Sequence, residues 1–182
     1  MSERNTVVLV DEQDNFLATE DKLVAHQQAL LHRAFSVMIY RYSSGQLQFL
    51  LQKRAKSKYH CGGLWTNTCC SHPAANQNII DSALARLKEE LVDIDVKNIK
   101  LKNIGSFIYR AEFDNGLTEH EYDHVLIGEY NGMPNIFNKN EIDQLSWVNL
   151  NDLSDDIIQN SNQYTPWFSK VLNFCLEDLE IH

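Results

Sequence analysis

The sequence predicts an α+β protein or a mixed α/β/α sandwich. Three observations carry that expectation: β-rich runs lie on both sides of one amphipathic helical stretch, a second helical stretch comes near the end, and no repeat or low-complexity tract breaks the order. The 182 residues, 43% hydrophobic and 23% charged, suffice for one core, so a single domain over 1–182 is expected.

The elements follow in order. "TVVLVD" reads as a short strand, and "FLATEDKLVAH" as a connecting segment. "RAFSVMIYRY" and "QLQFLLQKR" are β-rich runs joined by "SSGQ", a hairpin signal with Gly45 in the turn. The following "AKSKYHCGGLWTNTCCSHPAANQN" lacks periodicity and holds Gly62, Gly63 and Pro73; long irregular stretches inside a domain are often functional. From Ile80, apolar residues fall at 80, 83, 84, 87 and 91, the spacing of a helix whose charged face carries Arg86, Lys88, Glu89 and Glu90. "IGSFIYRAEF" and "EHEYDHVLIGEY" read as strands around a "DNGLT" turn. "QLSWVNLNDL" is a last strand leading into a polar loop, and "TPWFSKVLNFCLEDL" a helix with Thr165 as N-cap and Pro166 at the first position.

Composition excludes some functions. A formal charge of −9 argues against a nucleic-acid partner, whose affinity would rest on many phosphate contacts. The start, "MSERNTVVLVDEQD", has no basic segment followed by a long apolar one, and no run approaches the roughly 20 apolar residues that span a bilayer. A cytoplasmic location without membrane insertion is therefore expected. Cys61, Cys69, Cys70 and Cys175 are read as reduced thiols, because adjacent cysteines close only a strained ring.

Chemistry concentrates in a few places. Cys70 and His72 are two apart, so in extended backbone they face one side while Cys69 faces the other. A thiol can give or take a proton, or can simply fill a gap in a core. Glu119 and Glu121 share a strand face, with His120 and Tyr122 on the other. With His26, His32 and His72 they make an imidazole-and-carboxylate set suited to zinc, manganese or iron if they converge; a solvated acidic face and scattered histidines are the plainer alternative. Lys53, Arg54, Lys56 and Lys58 form a basic cluster in an acidic chain: a solvated loop, or a pocket for a small polyanion such as a diphosphate. Arg86 and Glu90, at i and i+4, form an ion pair or address phosphate oxygens and Mg²⁺. Trp167 is a core residue or an aromatic face for a cation.

From "GGLWTNTCCSHP" the chain resembles the type I isopentenyl-diphosphate isomerases of the Nudix fold superfamily, through the signature W-T-N-x-x-C-x-H-P. "LHRAFS", "KRAKSK", "RLKEEL", "YRAEF" and "EHEYDH" match the family's pattern in the family's order. "ARLKEELV" resembles a degenerate Nudix box, with Ser71 where that signature opens with Gly and Val92 where it closes with Gly. The resemblance implies a Nudix-like α/β/α sandwich with a mixed sheet. It implies Cys70 as catalytic thiol, Glu121 as second acid/base, Tyr109 hydrogen-bonded near it, and Trp167 as the wall over the reacting carbons. It further implies a divalent ion (Zn²⁺, Mn²⁺ or Mg²⁺) on His26, His32, His72, Glu119 and Glu121. Lys22, Arg54, Lys58 and Arg86 would bind the diphosphate, with Mg²⁺ held against it by Glu90. The partner implied is a small isoprenoid diphosphate, for a monomer or weak homodimer.

Two rivals stand beside this reading. A Nudix diphosphate hydrolase shares the fold but predicts the full acidic helix motif and gives Cys70 no role. A zinc-binding interaction module would use Cys70 as a ligand beside His72 in a closed tetrahedral site.

Overall fold

In the computed structural model, which describes residues 5–181, nine strands join in one sheet flanked by helices; both ends of the expected 1–182 domain extend past the described residues. The strands are β1 (Thr6–Val10), β2 (Phe16–Asp21), β3 (His32–Ser43), β4 (Gln46–Arg54), β5 (Trp65–Thr66), β6 (Cys69–Ser71), β7 (Lys102–Glu112), β8 (Thr118–Glu129) and β9 (Ile142–Asn149). The α-helices are α1 (Lys22–Gln27), α2 (Ile79–Glu90), α3 (Leu150–Gln159) and α4 (Phe168–Asp178).

The sheet is mixed because β3 runs parallel to β8 and antiparallel to β4 and β6. Since β3 alternates its side chains, each face acquires its own core. Phe35, Val37 and Ile39 pack with Leu50, Cys69 and Leu126 against Ala83, Leu87 and Leu91, which belong to α2 and its C-cap. On the other face Met38, Phe49, Leu51, Val125 and Ile127 meet Leu153 of α3 and Phe168, Val171, Leu172 and Cys175 of α4. These layers give the expected α/β/α sandwich. The expected hairpin forms: Ser43 pairs with Gln46 across Ser44 (φ 51°) and Gly45 (φ 77°), the positive-φ pair that matches strand twist.

Several segments differ from their expectation. "FLATEDKLVAH" is an edge strand followed by a short helix, started where Asp21 accepts from the N–H groups of Leu23 and Val24; six residues are too few to show periodicity. The irregular stretch contains β5 and β6, short strands recruited by β4 and β3. The polar loop after β9 is α3, a helix with Leu153 as its one fully buried residue, which explains its polar sequence. At the last helix, the Thr165 hydroxyl lies 2.9 Å from that of Thr66 instead of capping, and α4 begins at Phe168. Glu90 turns off the charged face of α2 and is buried. That helix ends at Leu91 with φ −111°, and the Val92 N–H donates to the Ile136 carbonyl, so the chain leaves without a left-handed glycine.

Candidate active site

Register builds the site. Residues paired across a ladder project to the same face, so β3 sets out His32, Ala34 and Ser36 beside Glu121 and Asp123 of β8 and Cys70 of β6. The adjacent Cys69 pairs with Val37 and is buried in the α2-side core. Tyr109 of β7 pairs with Glu121. Because Phe35 to Val37 pair with both β6 and β8, those strands flank β3, and Cys70 and Glu121 stand on its two sides.

A cleft of about 500 Å³ opens over this face. Cys70, His72, Tyr109, Glu119, Glu121 and Trp167 line one part of it, and Lys22, Arg54, Lys58, Arg86 and Glu141 another. The Cys70 thiol donates to Asn67 Oδ1 at 3.2 Å and lies 3.6 Å from Ser36 Oγ. Burial pushes its pKa up to about 12, so it carries its proton at neutral pH. Ser36 Oγ in turn donates to Asp123 at 2.7 Å. Burial, and then the charge of Glu121, push the Asp123 carboxyl well above the usual range.

His26, His32, His72 and Glu121 each bring one ligand atom to within 4.8 Å of the others. Nδ1 of His26 lies 2.5 Å from the Lys22 carbonyl, and Nδ1 of His32 lies 2.8 Å from the Leu30 carbonyl. A carbonyl only accepts, so both Nδ1 atoms carry hydrogen and both Nε2 atoms present lone pairs. Those two Nε2 atoms are buried without a hydrogen-bond partner. Buried lone pairs without donors, converging on a carboxylate, fit a divalent cation. Burial, and then the charge of Lys22, push His72 down to about 3, which keeps it the neutral imidazole a metal requires. Burial alone would raise Glu121, but the adjoining His32 and His72 outweigh it and hold the carboxyl well below the usual range.

Glu119 stands beside this group rather than in it. Its Oε1 is 4.0 Å from His26 Nε2 and paired with His60 Nε2, while Oε2 accepts from Tyr109 at 2.6 Å. Tyr109 also reaches Glu121 Oε2 at 2.5 Å. Cys70 is absent from the four-residue metal-suited group, contrary to the zinc-module reading.

The four expected diphosphate cations all line the cleft. Arg86 bonds Glu90 at 2.7 Å and Glu141 at 3.0 Å, and Lys58 pairs with Glu141 as well. Arg54 lies with its guanidinium carbon 5.7 Å from the Trp167 ring centre, its buried Nε without a partner. Burial, and then the charge of Lys58, lower the pKa of Lys22. Lys53 lies over Trp65 instead, and Lys56 is exposed. Glu90 sits behind the cleft wall, bonded to Arg86 and to Gln52 Nε2 at 3.3 Å.

The sequence reading passed over Ser36, His60, Asn67, Asp123 and Glu141. Asp123 carries a signal, since it continues the alternation of Glu119 and Glu121, and Asn67 another, since it is a fixed position of W-T-N-x-x-C-x-H-P. Ser36, His60 and Glu141 act through contacts between distant segments.

Comparisons with known proteins agree with this architecture. The NUDIX domain model matches residues 30–168. The chain is 43% identical over 173 residues to the isopentenyl-diphosphate Delta-isomerase of Photobacterium profundum, covering 95% of each chain. It is 44% identical over 168 residues to isopentenyl-diphosphate Delta-isomerase 2 of Aromatoleum aromaticum, covering 92% of this chain and 84% of that one. Among solved structures, it resembles DR0079 from Deinococcus radiodurans (TM-score 0.70, 16% identity, 92% and 98% covered). It also resembles an Ap4A hydrolase of C. elegans (TM-score 0.58, 18% identity, 81% and 97% covered). At such identities the two structures speak for the fold alone.

Proposed function

The chain belongs to the NUDIX family as an isopentenyl-diphosphate Delta-isomerase, and we propose that Cys70 and Glu121 carry its proton transfers in the cleft described above. Moving the double bond adds a proton at the terminal carbon and removes one two carbons away, through a tertiary cation. Cys70 holds its proton and Glu121 is ionised, so toward the dimethylallyl product Cys70 is the donor and Glu121 the acceptor. The observation that carries this reading is their placement on one sheet face, on two sides of β3, over a single cleft.

An unactivated alkene is a poor base, so the acid must be positioned and water kept out. Trp167 is 2% exposed and lines the cleft, where its π-face would stabilise a desolvated cation by about 2 kcal/mol. Tyr109, whose pKa burial and then Glu119 raise, stays protonated and fixes Glu121. Lys22, Arg54, Lys58 and Arg86 would grip the diphosphate, with Lys58 and Arg86 exchanging Glu141 for phosphate oxygens.

His26, His32, His72 and Glu121 would hold one divalent ion (Zn²⁺, Mn²⁺ or Mg²⁺), with Glu119 completing the set. Glu90 would turn outward past Arg86 to meet Mg²⁺ brought with the diphosphate. When bound, the ion at the histidines orients Glu121 and biases its proton affinity. We take residues 1–182 to be one catalytic domain, acting in the cytoplasm as a monomer or weak homodimer. Among the described residues no helix is long and apolar enough to cross a membrane.

Turnover of isopentenyl diphosphate in D₂O tests the reading. Solvent deuterium should enter the allylic product without phosphate release. Phosphate or pyrophosphate as the main product, with no deuterium in the isoprenoid, would move the protein to the hydrolases.

A further inference from the structure

One buried amide lies behind both of the groups assigned to the reaction. Asn67, fully buried and outside the cleft lining, donates through Nδ2 to the carbonyls of Val37 at 3.1 Å and Cys69 at 2.9 Å. Both amide hydrogens are thereby used, which fixes the direction of the carbonyl end. Its Oδ1 accepts from the Thr66 hydroxyl at 2.9 Å, the Cys70 thiol at 3.2 Å and the Trp167 indole N–H at 3.2 Å. The donated hydrogens of Cys70 and Trp167 converge on one oxygen, although Cys70 lies three residues from Asn67 and Trp167 a hundred.

We propose that Asn67 is a positioning residue for the isomerase reaction, setting the Cys70 thiol and the Trp167 indole against each other through its single Oδ1. The inference rests on the roles given to Cys70 and Trp167 above. A carbonyl oxygen can only accept, so it selects the thiol rotamer and the indole tilt that point their hydrogens at it. A thiol is the weakest of the three donors, which leaves its proton the most readily withdrawn toward substrate. The indole is pinned at its N–H edge, so its face is held at one tilt beside the thiol. The hydrogen bonds of Asn67 go to no metal-suited or diphosphate-suited side chain, so its loss should act on turnover and not on substrate binding.

Steady-state kinetics with isopentenyl diphosphate test this on Asn67→Ala, Trp167→Phe, the double variant and Cys70→Ala. Small misplacements of reacting groups cost on the order of 10²-fold, so Asn67→Ala should lose about that in kcat with KM changed by less than about threefold. The same replacement in the Trp167→Phe background, where the indole N–H is gone, should cost at least about fivefold less. Asn67→Asp keeps an acceptor for thiol and indole, and its second carboxyl oxygen, protonated in this buried place, can donate to one of the two carbonyls, so this variant should keep about tenfold more kcat than Asn67→Ala. Equal loss in the Ala and Asp variants, full multiplication in the double variant, or an effect on KM alone would reduce Asn67 to a structural residue. Cys70→Ala separates the two levels. An active Cys70→Ala overturns the site reading itself, whereas an inactive one beside a fully active Asn67→Ala overturns only the positioning role.

Discussion

At the residue scale, the two adjacent thiols separate by one step of β6. Cys70 faces Ser36 over the cleft, and Cys69 faces the α2-side core. Removing a general acid typically costs about 10²–10⁴-fold, so Cys70→Ala should be nearly inactive in a turnover assay while Cys69→Ala keeps most of its rate. Similar loss in both would mean that neither is the acid. The histidines divide by the same alternation. His72 lies with His26 and His32, whereas His120 turns away to bond the Ala29 carbonyl at 2.9 Å. His72→Asn should therefore weaken binding of Zn²⁺ or Mn²⁺, measured by calorimetric titration, while His120→Asn leaves it near wild type. Chelation should abolish turnover and readdition of metal restore it; full activity in a verified metal-free preparation would exclude the ion from the mechanism.

At the element scale, β7 and β8 carry the acidic side of the site, and their register passes through an irregularity between Asn103 and Gly105. Gly105 has φ +150°, and a Cβ there would meet the Phe174 ring of α4 at 2.5 Å. Gly105→Ala must therefore push the ring aside and adopt a backbone that side chains rarely take, at a cost of about 1–3 kcal/mol. Chemical denaturation should record that loss; an unchanged midpoint would show that α4 moves freely against β7. The helix on the other face answers to a different rule. Leu87 is fully buried against the sheet, so Leu87→Ala should cost about 2–5 kcal/mol through lost contact and the cavity left behind.

At the scale of the whole molecule, a pocket of buried imidazoles and carboxylates couples stability to pH. His72 falls from an ordinary 6.5 to about 3 on folding, chiefly through burial, and burial lowers His26 as well. The unfolded chain then binds protons that the native state refuses, so this contribution is full above about pH 6.5 and is lost as pH falls toward 3. Glu121, held below its usual range, acts in the same sense. His32, Asp123 and Glu90 oppose them: Glu121 raises the first against the effect of burial, and burial chiefly raises the two carboxyls. The share of His72 is therefore read by difference: between pH 7 and 4 the metal-free protein should lose stability relative to His72→Asn, by at most about 1.4 kcal/mol per pH unit. A difference that is flat or grows as pH falls over that range would contradict the placement of His72.

The sequence by itself determined the layers, the Ser44–Gly45 hairpin, the amphipathic α2, and the sidedness of Cys70, Glu119 and Glu121, because each follows from a short-range period or turn preference. The signature around Trp65–Pro73 also led to the isomerase family before any fold was visible. Short or polar elements escaped: α1 is too short to print a period, α3 prints one only through Leu150, Leu153 and Ile157 in a polar run, and β5 and β6 are strands only because β4 and β3 offer them an edge. Tertiary structure alone decided which side chains meet. It placed the histidines around Glu121, drew Glu119 toward His60, set Glu90 against Gln52, and brought the Trp167 indole to the amide oxygen of Asn67. Those contacts join segments far apart in the chain, and a periodicity read over a dozen residues carries no information about distances set by sheet register and layer packing.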